Sequence, residues 1–171
     1  MRRQGGAQSR RQRDDLQCNG GQGEKYHHVE FGVNSRLDEM QAAVLRARLP
    51  LMPKWTSRRR ALAAAYRKAL TGAPVVVPPE CDPGHVYHLF PVLTPERDAF
   101  QAHLADRGIG TLVHYPVALT DQPALAPYAT TPCPVAQRVA REVCSLPLHP
   151  HLSDADLTHV ADTVLSFGAR V

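Results

Sequence analysis

Residues 85–116 read HVYHLFPVLTPERDAFQAHLADRGIGTLVHYP, and a change of period inside them decides the fold class. The run from His85 to Leu93 is short, apolar and aromatic, which predicts a strand. Thr94-Pro95-Glu96 supplies a capping hydroxyl and a proline suited to the first helical position. The helix it opens carries Phe100 and Leu104 inward and stops at Gly108. Residues 109–115 then return to an extended, apolar run. A helix flanked by two strands predicts a mixed α/β class, in the form of a small α+β unit whose helices pack on one side of a modest sheet.

Working outward, Val75-Val76-Val77 reads as a further strand closed by Pro78-Pro79. A helix is expected over about 54–70, with Trp55, Leu62, Tyr66 and Ala69 on one side. Arg58, Arg59, Arg60, Arg67 and Lys68 fall largely on the other, and Gly72 lies just past its end. Another helix precedes it, opened by Ser35 and Asp38 as an approximate capping box, with Leu37, Met40, Val44 and Leu45 on one face. Pro50 and Pro53 break that helix, which gives an αα elbow suited to docking on something larger. Residues 17–23 read as a Gly-rich loop, and 26–31 as a short extended segment. Downstream come a loop over 116–131, a short helix from Pro134, an extended 145–149, and a last helix capped by Ser153 with Leu157, Val160, Val164 and Leu165 inward. No internal repeat is found.

The chain has 171 residues and a formal net charge of +4, which raises the question of nucleic acid. Residues 1–15 hold five Arg against Asp14 and Asp15 and almost no apolar residues, so the positive charge belongs to a tail expected to be disordered. The rest is close to neutral and lacks interleaved aromatic and basic residues, so a nucleic-acid binder is disfavoured. No apolar run suits a membrane span or a secretory leader, and a cytoplasmic protein is the expectation. Cysteines at 18, 81, 133 and 144 have no metal-ligand or framework spacing and read as free thiols.

Nine histidines invite a test for metal. His85 and His88 lie three apart on a strand and point to opposite faces; His149 and His151 could share a face but lack a third ligand; His27 and His28 diverge. No metal site is expected. Phosphate-loop, dinucleotide and nucleophile-elbow motifs are absent. Two clusters remain. Asn34 stands just before a helix start with Arg36 in its first turn, which places an amide and a guanidinium where helix N–H groups point, a good anion site. On spacing alone the same residues read as a capped helix with a surface arginine. His114-Tyr115 ends a strand and puts two polar rings at a loop mouth, a weak signal by itself.

Together these segments resemble the C-terminal part of the DegT/DnrJ/StrS family, pyridoxal-phosphate (PLP) sugar aminotransferases of fold type I. The resemblance is carried, in order, by Tyr26-His27-His28, GVNSRLDEMQAAVLRARL (32–49), Arg59-Arg60, Tyr66, VYHLFPV (86–92), GIGTLVHYP (108–116) and CSLPLHPHLS (144–153), and covers about residues 16–167. It implies a small C-terminal domain with a mainly antiparallel sheet, preceded by the αα elbow, in a homodimer with active sites at the interface. It implies that Asn34 and Arg36 contact the partner's cofactor phosphate or substrate, and that His114 and Tyr115 touch a nucleotide-sugar substrate. His88 and His149 would be framework.

Family members hold PLP as a Schiff base on a lysine well upstream of the G-x-N-x-R motif. This chain has only Lys25, Lys54 and Lys68, the first too near the motif and the others after it, so no catalytic residue is assigned. The expected organisation is a basic tail over 1–15, a helical segment over 16–72 and a small domain over 73–171. The expected function is that of a C-terminal fragment of an aminotransferase for nucleotide-linked keto sugars, inactive alone. The alternative is a non-catalytic module that pairs with a full-length paralogue.

Overall fold

A computed structural model describes residues 38–168, together with the backbone of two short strands, β1 (Gln22–Glu24) and β2 (His27–His28). The strands pair antiparallel, so the expected Gly-rich loop over 17–23 gives way to strand at its end. The other elements are α1 (Glu39–Arg48), α2 (Met52–Ala69), β3 (Phe90–Leu93), α3 (Arg97–Ala105), α4 (Pro134–Glu142), β4 (Val143–Leu146) and α5 (Asp154–Phe167). Helices and a small antiparallel sheet alternate, as the period change predicts.

The chain divides into two compact units, one made of residues 1–42 and 115–140, the other of 43–114 and 141–171. In the first, β2 meets a 3-10 segment at Pro123–Tyr128, and the Gln137 amide donates to Asp121 Oδ1 at 2.7 Å. The region 116–131 thus holds two 3-10 turns, the other at Leu119–Asp121.

The second unit has the core. β3 and β4 pair antiparallel with Phe90 opposite Leu146 and Val92 opposite Cys144. Because side chains alternate along a strand, these four share one face, and all are buried with Leu62, Tyr66, Phe100, Leu104, Leu157, Val160 and Val164. The opposite face carries Ser145. Val76 bridges to Leu93 and Leu112 to Ser145, so each outer edge of the pair is met by a single residue pair. The expected strands 75–77 and 109–115 therefore contract to single bridges.

The expected strand 85–93 begins only at Phe90. Tyr87 takes a positive φ of 49°, a conformation that interrupts an extended chain, and its N–H donates to His85 Nδ1 at 3.0 Å. α3 also begins two residues later than the proline rule suggests; its N-cap is Glu96, with no side-chain cap, although Glu96 N–H approaches Thr94 Oγ1 at 3.4 Å. α5 starts as expected. Asp156 N–H donates to Ser153 Oγ at 3.0 Å, and the Ser153 hydroxyl donates back to Asp156 Oδ2 at 2.6 Å. The Ser153 hydrogen bonds hold the Asp156 carboxyl below its ordinary range.

α2 is the post on which this unit hangs, and two of the arginines on the side opposite its apolar residues reach back to the chain. Arg59 Nη1 donates to the carbonyls of Tyr87 (3.2 Å), His88 (3.1 Å) and Leu148 (3.5 Å). Arg60 Nε donates to the His85 carbonyl at 3.0 Å, and the Tyr66 hydroxyl to the Pro147 carbonyl at 3.0 Å. Each satisfies backbone oxygens where strands end and no ladder continues. α1 departs from expectation more sharply. Asp38, expected inside the helix, caps it: its Oδ1 accepts from Gln41 N–H at 2.7 Å. Of the apolar face proposed for α1, Met40, Val44 and Leu45 are 80%, 55% and 57% exposed, and no residue of the helix is buried; Leu37 lies outside the described residues. Its apolar stripe has no covering element among the described residues.

Candidate functional site

His114 follows the Leu112 bridge to β4. Two backbone hydrogen bonds make that bridge, Ser145 N–H to the Leu112 carbonyl at 2.7 Å and Leu112 N–H to the Ser145 carbonyl at 3.4 Å. The same Ser145 places its hydroxyl 3.1 Å from His114 Nδ1. One residue of β4 therefore fixes both the backbone and the half-buried imidazole. Ser145 was not singled out from sequence; its signal is its place in the strand, on the face turned from the Phe90 and Val92 layer. Tyr115 is 61% exposed. Asn34 and Arg36 lie outside the described residues, so the structure does not bring them to His114 or away from it.

The lysines are informative. Lys54 and Lys68 both stand exposed on α2, and Lys25 lies outside the described residues. A Schiff-base lysine works by being desolvated or set beside another cation, which favours its neutral amine. Neither described lysine is desolvated, since both residues are exposed. Among the described residues no three His, Cys, Asp or Glu converge as metal ligands, and no helix is long and apolar enough to cross a membrane. His88 and His149 act through backbone carbonyls, the first accepting from Arg59 and the second from Leu152 N–H at 3.0 Å. Cys144 is fully buried and burial pushes its thiol up, which removes its reactivity.

Residues 9–165 match the DegT/DnrJ/EryC1/StrS aminotransferase family, and the chain belongs to it. Over 159 residues it is 47% identical to dTDP-3-amino-3,4,6-trideoxy-alpha-D-glucose transaminase from Streptomyces venezuelae, covering 90% of this chain but 41% of that protein. The crystal structure of S. venezuelae DesV in complex with a ketimine intermediate superposes with a TM-score of 0.73 at 44% identity, over 94% of this chain and 44% of that one. NtdA from Bacillus subtilis, solved with bound cofactor PMP, superposes with a TM-score of 0.62 at 25% identity, over 88% of this chain and 38% of that one. The chain thus spans about two fifths of the length of these relatives. Fold type I, expected from the motifs, agrees with both structures.

Proposed function

We propose that this chain supplies the small-domain part of a PLP-dependent aminotransferase for nucleotide-linked keto sugars, and that alone it turns over no substrate. The observation that carries the reading is the match over 9–165 to relatives of that activity, joined to a chain whose described lysines are exposed. In the assembled enzyme, Asn34 and Arg36 contact the cofactor phosphate or substrate across a homodimer interface. His114, aimed by Ser145, and Tyr115 contact the nucleotide sugar. PLP itself supplies the electron sink, and the amine that binds it comes from outside this chain. The protein works in the cytoplasm.

PLP added to the purified chain, followed by borohydride and peptide mapping, should give no stoichiometric lysine-linked adduct and no transamination. A single modified lysine with turnover overturns the reading.

A second reading is favoured by the exposed Met40, Val44 and Leu45 of α1: the chain is a non-catalytic module that docks on a full-length paralogue. Such a stripe is an interaction surface by its physics. Co-expression with a full-length paralogue should then yield a stable mixed complex that Val44→Asp with Leu45→Asp dissolves; separate elution of the two wild-type chains removes this reading.

A further inference from the structure

Between Val77 and Phe90 the chain leaves the sheet and returns to it. Both ends are pinned, since Val76 exchanges two backbone hydrogen bonds of 2.8 Å with Leu93, and Phe90 pairs with Leu146. Inside that span residues 79–84 are all exposed. Their backbone bonds are local: Gly84 N–H donates to Asp82 Oδ1 at 2.7 Å, and His85 N–H to the Asp82 carbonyl at 3.0 Å. Among the described residues a single hydrogen bond ties 79–84 to anything further, the Tyr87 hydroxyl donating to Glu80 Oε2. Tyr87 is the opposite case. It is buried, its ring stands edge-on to His85 with centroids 4.3 Å apart, and its carbonyl and hydroxyl accept from Arg59 and Arg67 of α2. Its φ of 49° persists only where the surroundings over-determine it. Burial, then the Glu80 hydrogen bond, hold the Tyr87 hydroxyl above its ordinary range, so it keeps the proton it donates. Arg67, Glu80, Asp82, Tyr87, Phe90 and Pro91 line a cavity of about 200 Å³. That is below the range of about 300–1,000 Å³ typical of ligand sites, and it leaves slack beneath the segment. Arg67 Nε is buried with no hydrogen-bond partner among the described residues, a cost of the closed arrangement that water relieves when the segment lifts.

We propose that residues 79–84 are a lid over the Arg67 cavity, closed by one latch, the Tyr87 hydroxyl on Glu80, and that the lid opens locally while the sheet stays paired. The proposal does not depend on the aminotransferase reading, since it uses only α2 and the segment that leaves and rejoins the sheet. A fixed post and an otherwise untied loop make a two-state element, because breaking one bond frees the whole segment. Digestion of the whole chain by proteinase K reads the opening, with cleavage sites followed by mass spectrometry at a protease level low enough for cutting to track the open population. Tyr87→Phe keeps the ring and removes the latch. Glu80→Ala removes it from the exposed side, where folding is not at stake. Each should speed cleavage within 79–84 about tenfold or more, the size of one hydrogen bond to a charged group, and leave cleavage within Phe90–Leu93 unchanged. The double variant should be cut no faster than Tyr87→Phe alone, since both changes break the same link. Unchanged cleavage at 79–84 in either single variant overturns the proposal. So does equal acceleration within Phe90–Leu93, which means that the sheet opens with the loop, or a double variant whose acceleration is the product of the two, which means that Glu80 and Tyr87 act apart.

Discussion

Phe100→Ala is expected to remove about 3–5 kcal/mol of stability, the range for deleting a fully buried phenyl ring. Phe100 is 0% exposed and stands edge-on to Phe167, ring centroids 5.2 Å apart at 72°, a geometry that adds to area burial. It sits on α3, which packs against both β4 and α5, so the hole opens where three elements meet and none can close it without leaving another. Against a usual domain stability of about 5–15 kcal/mol, the loss is a large fraction of the whole. Urea unfolding followed by circular dichroism should show a lower midpoint with an unchanged slope. Phe167 is only half-buried, so Phe167→Ala should cost clearly less. A Phe100→Ala loss under about 1 kcal/mol would mean that the α3 contact is not part of the cooperative core.

Much of this core is legible in the sequence because burial follows period. Phe100 and Leu104 on α3, and Leu157, Val160 and Val164 on α5, repeat at helical spacing, and the Ser153–Asp156 box marks its helix start with two reciprocal hydrogen bonds. What period does not encode is which element covers a given apolar face. Met40, Val44 and Leu45 have the same spacing as the α5 residues and yet are exposed, because spacing describes a helix and not its neighbour. The arginines of α2 show the same gap from the polar side. Spacing puts them on the side opposite the apolar residues, and what it leaves out is that Arg59 and Arg60 spend their donors on carbonyls some 25 to 89 positions away, a long-range fact with no local trace. The strand 85–93 overreaches for a third reason: its apolar content is right, but the positive φ of Tyr87 is set by tertiary contacts, not by a glycine.

The site divides along the same line. Asn34 and Arg36 were legible as an anion-binding pattern beside a helix start, yet their partners are a matter of assembly. His114 was a weak signal until the β3–β4 register put Ser145 beneath it. A residue that aims another through the back of a strand carries no motif, and only the pairing Pro91 opposite Ser145 reveals the face it occupies. Among the described histidines, His103 meets α5 through its ring, and His88 and His149 accept through their backbone carbonyls.

His103→Leu is the second large expected effect and shows what such a framework histidine contributes. The ring is 2% exposed, with Nε2 at 3.0 Å from the Thr163 carbonyl and 3.1 Å from Ser166 Oγ, both on α5. Arg107 Nη1 lies 3.1 Å from Nδ1. A guanidinium can only donate, so Nδ1 accepts and Nε2 carries the proton it gives to α5. Arg107 thus fixes the tautomer that ties α3 to α5. Leucine fills comparable space but leaves the buried contacts to α5 unmade, which costs about 1–3 kcal/mol for each unsatisfied group; a total of about 2–3 kcal/mol is expected, with the Thr163 carbonyl retaining the Ser166 hydroxyl at 2.8 Å. Arg107→Leu should cost less, since Arg107 is exposed and Nδ1 would be left as a neutral acceptor. The double variant should then cost less than the sum of the two, because once the imidazole is gone the tautomer has nothing to govern. Additive losses in urea unfolding would show that Arg107 and His103 act independently, and the tautomer argument would fail with them.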